Sequence, residues 1–170
     1  YHYQVTVQDF QQKIPRADSP YPMELANPFI IRDFSRCILC GRCVKACREV
    51  QVNNAIEFGY TSDYTKITTG KNDAPLKDSD CVFCGECVQV CPVAALVEKD
   101  ARYAWRPNEV KQLRSTCPYC GVGCQINLHV KNDRVLKITG VESSPPNFGS
   151  LCVKGRFGFN FIASPERLKV

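Results

Sequence analysis

Two stretches late in the chain alternate polar and apolar residues. Gln125-Ile126-Asn127-Leu128-His129-Val130 is the first, and after Asn132-Asp133 the alternation resumes over residues 134–139. A period of two on either side of a turn-forming pair predicts a β-hairpin. Residues 55–60 and 64–69 carry a shorter version around Thr61-Ser62-Asp63, and residues 94–98 predict one more strand. Residues 1–33 show only one brief alternating stretch among Pro15, Pro20, Pro22 and Pro28, which predicts an irregular arm lying over something larger. Residues 34–100 contain one pattern twice, a cysteine loop leading into a short helix, as expected of two pseudo-symmetric halves. Residues 101–114, charged and holding Trp105 and Pro107, read as a connector. Residues 115–170 then form a second unit, with a loop at Ser143-Ser144-Pro145-Pro146-Asn147 and a helix starting near Lys154. Short strands and short helices arranged this way predict an α+β chain.

Composition narrows what such a chain does. Its 170 residues are 44% hydrophobic, enough for a folded core, and no apolar run reaches the length that crosses a bilayer. Tyr1-His2-Tyr3-Gln4 lacks the basic start and apolar core of a signal peptide, and no twin-arginine signal is visible, so a cytoplasmic chain is expected. It does not begin with Met and reads as a processed chain or a fragment. Its 12 cysteines far exceed ordinary usage and point to disulfides, zinc or iron–sulfur clusters.

Spacing decides among these. Cys37-x2-Cys40-x2-Cys43-x3-Cys47 and Cys81-x2-Cys84-x2-Cys87-x3-Cys91-Pro92 both match the bacterial ferredoxin run. Three closely spaced thiolates on one curling loop reach three irons of a cube, and the fourth cysteine serves the other cube. Cys37, Cys40, Cys43 and Cys91 are therefore assigned to a first [4Fe–4S] cluster, and Cys47, Cys81, Cys84 and Cys87 to a second. Gly41 and Gly85 follow the second cysteine of each run, where the backbone must pass close to the cluster or take positive φ. Arg48 stands where a proline is expected after Cys47 and removes no ligand. Such crowded spacing suits neither a zinc tetrahedron nor a secreted disulfide framework.

Cys117-x2-Cys120-x3-Cys124-x27-Cys152 is a third set, which by spacing alone also admits a four-cysteine zinc site. Two neighbouring redox clusters favour iron, because a redox-inert metal would end the path they begin. Gly121 and Gly123 are expected to loosen this loop as Gly41 and Gly85 do theirs. The clusters also change the charge: three oxidised cubes with their thiolates, at about −2 each, bring the formal +5 to about −1. Lys and Arg are scattered without a long basic run, which argues against nucleic acid as a partner.

The third unit carries a family resemblance. Cys117-Pro118-Tyr119-Cys120-Gly121-Val122-Gly123-Cys124, with Leu151-Cys152-Val153-Lys154-Gly155-Arg156-Phe157-Gly158, resembles the N-terminal cluster domain of the molybdopterin oxidoreductases, formate dehydrogenases above all. Phe29-Ile30-Ile31-Arg32-Asp33, Cys37-Ile38-Leu39-Cys40-Gly41-Arg42-Cys43 and Glu49-Val50-Gln51 resemble the ferredoxin-like segment in catalytic subunits of cytoplasmic, NAD-linked formate dehydrogenases. The large peripheral subunit of respiratory complex I shares part of this plan. The resemblance spans about residues 27–170. It implies a two-cluster ferredoxin-like domain, then a small β-rich [4Fe–4S] domain, and a longer parent holding molybdenum or tungsten between two pterin guanine dinucleotides. None of that pterin region is in this sequence, and Ser164-Pro165-Glu166-Arg167-Leu168-Lys169 looks like the lead into it. Upstream [2Fe–2S] and histidine-ligated clusters of some relatives find no cysteines here.

The resemblance also places Lys154 between the nearest cluster and a pterin; the plain alternative is a solvated lysine. His2 and His129 are expected to be ordinary polar or packed residues. Tyr119 and Phe83 are expected to shield clusters from water. Glu86, Asp80 and Glu98 form no persuasive acid–base pair, and no nucleophile constellation or phosphate-binding glycine loop is present. The expected function is electron transfer through three [4Fe–4S] clusters between the pterin-bound metal and a flavin, NAD-linked or iron–sulfur partner subunit. A free-standing adaptor wiring two redox proteins, or a complex I-like or hydrogenase-linked subunit, is the alternative.

Overall fold

The computed structural model describes residues 21–61, 64–70, 72–102 and 106–168. Most of the expected arm, with His2, Pro15 and Pro20, lies outside the described residues, as do Ser62, Asp63 and Trp105. Small antiparallel sheets and short helices alternate along the rest. Strand β1 (Ile30–Arg32) pairs with β4 (Leu96–Glu98), β2 (Glu57–Gly59) with β3 (Lys66–Thr68), and β5 (Lys111–Thr116), β6 (Gln125–Lys131) and β7 (Arg134–Gly140) form one sheet in that order. The helices are α1 (Arg42–Lys45), α2 (Glu86–Gln89) and α3 (Val153–Phe157).

The β6–β7 hairpin forms where alternation predicts it. Asn132 and Asp133 take φ of 50° and 58°, the paired left-handed geometry whose twist matches the flanking strands. Its inward residues Ile126 and Ile138 join Leu151, Phe159 and Cys117 in a small core. β5 occupies what the sequence presents as connector. Lys111-Gln112-Leu113-Arg114-Ser115-Thr116 is exposed throughout, so it has no buried face to betray a strand. Backbone pairing holds it, from Lys111 opposite Val130 to Thr116 opposite Gln125.

A second departure from the sequence reading is β1, which the proline-rich composition assigns to the irregular arm. Ile30 and Ile31 are both buried, so the strand shows no alternation, and Asn27 Oδ1 starts it by accepting the N–H groups of Phe29 and Ile30, each at 2.8 Å. The partner strand begins at Leu96, two residues later than expected. Ala94 sits at φ 53°, which an extended strand excludes.

Ile30, Val44, Ile56, Ile67, Leu76 and Leu96 make the larger core, with Cys43, Cys47 and Phe157 among them. Phe157 comes from α3, so the second unit plugs into the first. Its ring stacks on Phe29 with centroids 4.9 Å apart.

The internal repeat is visible in the backbone. Leu39 and Gly41 have φ of 55° and 73°, and Phe83 and Gly85, at the same positions of the second copy, have 53° and 76°. Two left-handed residues around the second cysteine curl each loop back on itself. In the third loop Gly123 is left-handed at φ 69° whereas Gly121 is not, so only the former shares the role of Gly41 and Gly85. Cys47 lies in a π-helical turn (Ala46–Val50) continuing α1, and Cys91 lies two residues past α2.

Candidate metal centres

All twelve cysteines are free thiols. They stand around cavities. One cavity is lined by Cys37, Cys40, Cys43, Cys87 and Cys91, with Ile56, Ile67 and Leu96 in its walls. A second is lined by Cys47, Cys81, Cys84 and Cys87, with Ile30, Ala55 and Leu76 around them. Each cavity therefore takes cysteines from both runs, and Cys87 lines both cavities. Local structure spreads each run: its first two cysteines sit on the curled loop and the third on the short helix after it, Cys43 in α1 and Cys87 in α2, while Cys47 lies in the π-helical turn and Cys91 two residues past α2.

Burial sets the thiol chemistry. The Cys43 thiol is pushed up to about 11 by desolvation and then by Cys37, with Cys91 and Cys40 adding to it. Cys81 and Cys84 are raised by burial first, each with Cys47 as a neighbour, and Cys87 is raised strongly by burial, then by Cys84 and Cys81. Such thiols hold their protons until a cation displaces them. Backbone donors already point at sulfur: Phe83 N–H to Cys81 Sγ at 3.4 Å and Ala55 N–H to Cys47 Sγ at 3.3 Å.

The third set gathers at the end of the three-stranded sheet. Cys117 N–H donates to the Cys124 carbonyl at 2.8 Å, and Cys124 is raised by burial and then by Cys117, Cys120 and Cys152. Cys117 is buried, while Cys120 and Cys152 are exposed. Asn147 clips the returning loop beside them, its Oδ1 accepting from Gln125 N–H at 2.7 Å and its Nδ2 donating to Gln125 and Ser150 carbonyls. Among the described residues no three His, Cys, Asp or Glu side chains converge as the ligands of a single ion do.

Of the other singled-out residues, Glu86 lines the second cavity. Lys154 is exposed on α3, next to Cys152. His129 is buried on β6 with Nε2 2.9 Å from Thr139 Oγ1, and burial lowers its pKa. Phe83 meets Phe29 edge-on at 6.0 Å, and the Tyr119 hydroxyl donates to the Gly158 carbonyl while its ring stays exposed. Glu98 is buried and raised by desolvation, and Glu86 instead pairs with Arg156. Sequence reading passes over two buried cations. Arg32 lines the first cavity and bonds Glu24 Oε2 from Nε at 3.1 Å. Arg156, 0% exposed, spans the two units. Both lie within segments that carry the family resemblance, but residue type and position alone do not separate a buried arginine from a solvated one.

Comparisons with known proteins match two family models along the chain. A 4Fe-4S dicluster domain model matches residues 36–95, and a molybdopterin oxidoreductase Fe4S4 domain model matches residues 110–164. A probable oxidoreductase of Bacillus subtilis is 33% identical over 92% of this chain. The alpha subunit of an NADPH-Fe(3+) oxidoreductase of Geobacter sulfurreducens is 42% identical over 83% of it. A putative formate dehydrogenase of Staphylococcus haemolyticus is 30% identical over 93%. The chain spans only 20%, 16% and 20% of these relatives, respectively. No helix among the described residues is long and apolar enough to cross a membrane.

Proposed function

We propose that this chain, which matches a 4Fe-4S dicluster domain model and then a molybdopterin oxidoreductase Fe4S4 domain model, belongs among the iron–sulfur electron-transfer regions of the molybdopterin oxidoreductases. From that premise we propose that it carries electrons through three [4Fe–4S] clusters at the front of a formate dehydrogenase-like molybdenum or tungsten enzyme. The observation that carries this reading is the mixed lining of the two cavities: Cys37, Cys40 and Cys43 stand with Cys87 and Cys91 of the other run around one, and Cys81, Cys84 and Cys87 with Cys47 of the other run around the second. Ligands of one zinc sit about 2.3 Å from a common point, whereas a cube offers four separate corners, and cysteines spread around a cavity fit the cube.

When bound, such clusters take up and release single electrons. The chain's own residues tune and insulate them. Apolar walls from Ile56, Ile67 and Leu76 exclude water, and the Phe83 and Ala55 amides favour added negative charge on sulfur. Cys117, Cys120, Cys124 and Cys152 would hold the third cluster, with its exposed side next to Lys154. That side would face a bis(pterin guanine dinucleotide) held by the rest of the parent, where formate and CO2 interconvert. Electrons would leave toward flavin, NAD-linked or iron–sulfur partner subunits, and the chain would work in the reducing cytoplasm, where cysteines stay available as cluster ligands.

Lys154 tests the pterin-facing part of this reading. In the full-length parent, Lys154→Ala should leave all three clusters assembled, since no ligand is lost, while substrate-driven cluster reduction slows at least tenfold. Stopped-flow absorbance reads it. Unchanged kinetics would return Lys154 to the solvated surface.

A further inference from the structure

One buried polar assembly joins the two units, and Arg156 is its centre. Nε donates to the Cys84 carbonyl at 2.6 Å, Nη1 to Gln89 Oε1 at 2.9 Å, and Nη2 pairs with Glu86 Oε1 at 2.8 Å. Glu86 Oε1 also accepts the Leu151 N–H at 3.4 Å, one residue before Cys152. Glu86 is 4% exposed, so both charges are out of water. A buried charge pair is weak evidence for stability, because desolvation offsets its attraction. Its position therefore calls for a further reason.

That position lies between two cysteine sets. Gly155 abuts the third set, since a Cβ there would lie 3.5 Å from Cys117 Sγ. The next residue, Arg156, bonds the backbone of Cys84 in the second set. A Cβ at Gly85 would strike the Arg156 side chain, so that glycine makes room for it. Between Cys91 of the first set and the third unit lies a cleft, lined by Cys91, Val88 and Leu96, by Lys137 and Thr139 of β7, and by Arg156.

We propose that Arg156 is a positioning residue of the electron path: it fixes the third centre against the Cys47, Cys81, Cys84 and Cys87 centre and, as a buried cation there, favours that centre's reduced state. The inference rests on the three-cluster reading above. One electron leaves one centre as one enters the other; no bond forms or breaks and no proton moves. Rigid contact sets the separation, and the cation balanced by Glu86 sets the potential.

The test uses the anaerobically loaded full chain, with iron content, redox titration and EPR coupling between reduced centres as readouts. Coupling to the third centre should be present in the unsubstituted chain, disappear in Cys84→Ser and persist in Cys40→Ser. Arg156→Lys keeps the charge but loses the fork, so coupling should weaken while the second centre's potential stays near its original value. Arg156→Gln should shift that centre's reduction equilibrium about tenfold toward the oxidised form, about 59 mV for one electron. Glu86→Gln should shift it the other way, and the double variant should restore it without restoring coupling. Three-cluster Arg156 variants with unchanged coupling and potential would overturn the proposal, as would coupling that follows Cys40 and ignores Cys84. Fewer than three clusters in the unsubstituted chain would instead overturn the function on which it rests.

Discussion

Replacing Cys47 by serine is expected to damage the centre of Cys81, Cys84 and Cys87, although Cys47 belongs in sequence to the other run. The second cavity is the physical reason. Cys47 lines it beside those three, and Ala55 N–H holds its sulfur there at 3.3 Å. The EPR spectrum and iron content of Cys47→Ser should therefore match those of Cys84→Ser, with loss of up to about four irons and an intact first centre. A spectrum matching Cys40→Ser would show that each run serves its own cluster. Cys91→Ser is the reciprocal case and should degrade the first centre only.

The two equivalent glycines should differ sharply when replaced by alanine. Both lie near φ +75°, where a Cβ costs about 1–2 kcal/mol. At Gly41 the added methyl meets only the end of the Phe58 ring, at 3.1 Å, and that side chain is exposed and free to swing. At Gly85 it strikes Arg156, which is fully buried and held by three partners. Relief there means breaking a buried ion pair, at about 3–5 kcal/mol. Gly41→Ala should thus lose about 1–2 kcal/mol and Gly85→Ala about 4 kcal/mol or more, read by denaturant unfolding of the loaded chain. Equal losses would mean that Arg156 yields easily, and would weaken its role as a fixed strut.

Much of this was legible because its physics is local. The β6–β7 hairpin needs only alternation and two residues tolerant of positive φ, and both are written in the sequence. The cysteine sets are short-range spacings on curled loops and the helices after them, and the eight cysteines of the two runs line two cavities, with Cys87 in both. What was not legible depends on partners distant in sequence. β5 has no buried side chain and exists through pairing with β6. β1 is buried on both faces by elements some 65 residues away, which erases the alternation that marks a strand. Arg156 is distinguished from a surface arginine only by Cys84, Glu86 and Gln89, about 70 positions earlier. Lys154, which motif resemblance singles out, is exposed, and Arg156 two residues on, which motif reading passes over, is buried at the join of the two units.

The central claim is three cubes on twelve thiolates, and direct metal analysis tests it. Chain prepared without oxygen should contain about 12 iron and 12 acid-labile sulfide with no stoichiometric zinc. About 8 of each together with one zinc would place a redox-inert ion on Cys117, Cys120, Cys124 and Cys152, and would contradict the account of a path that reaches the third unit.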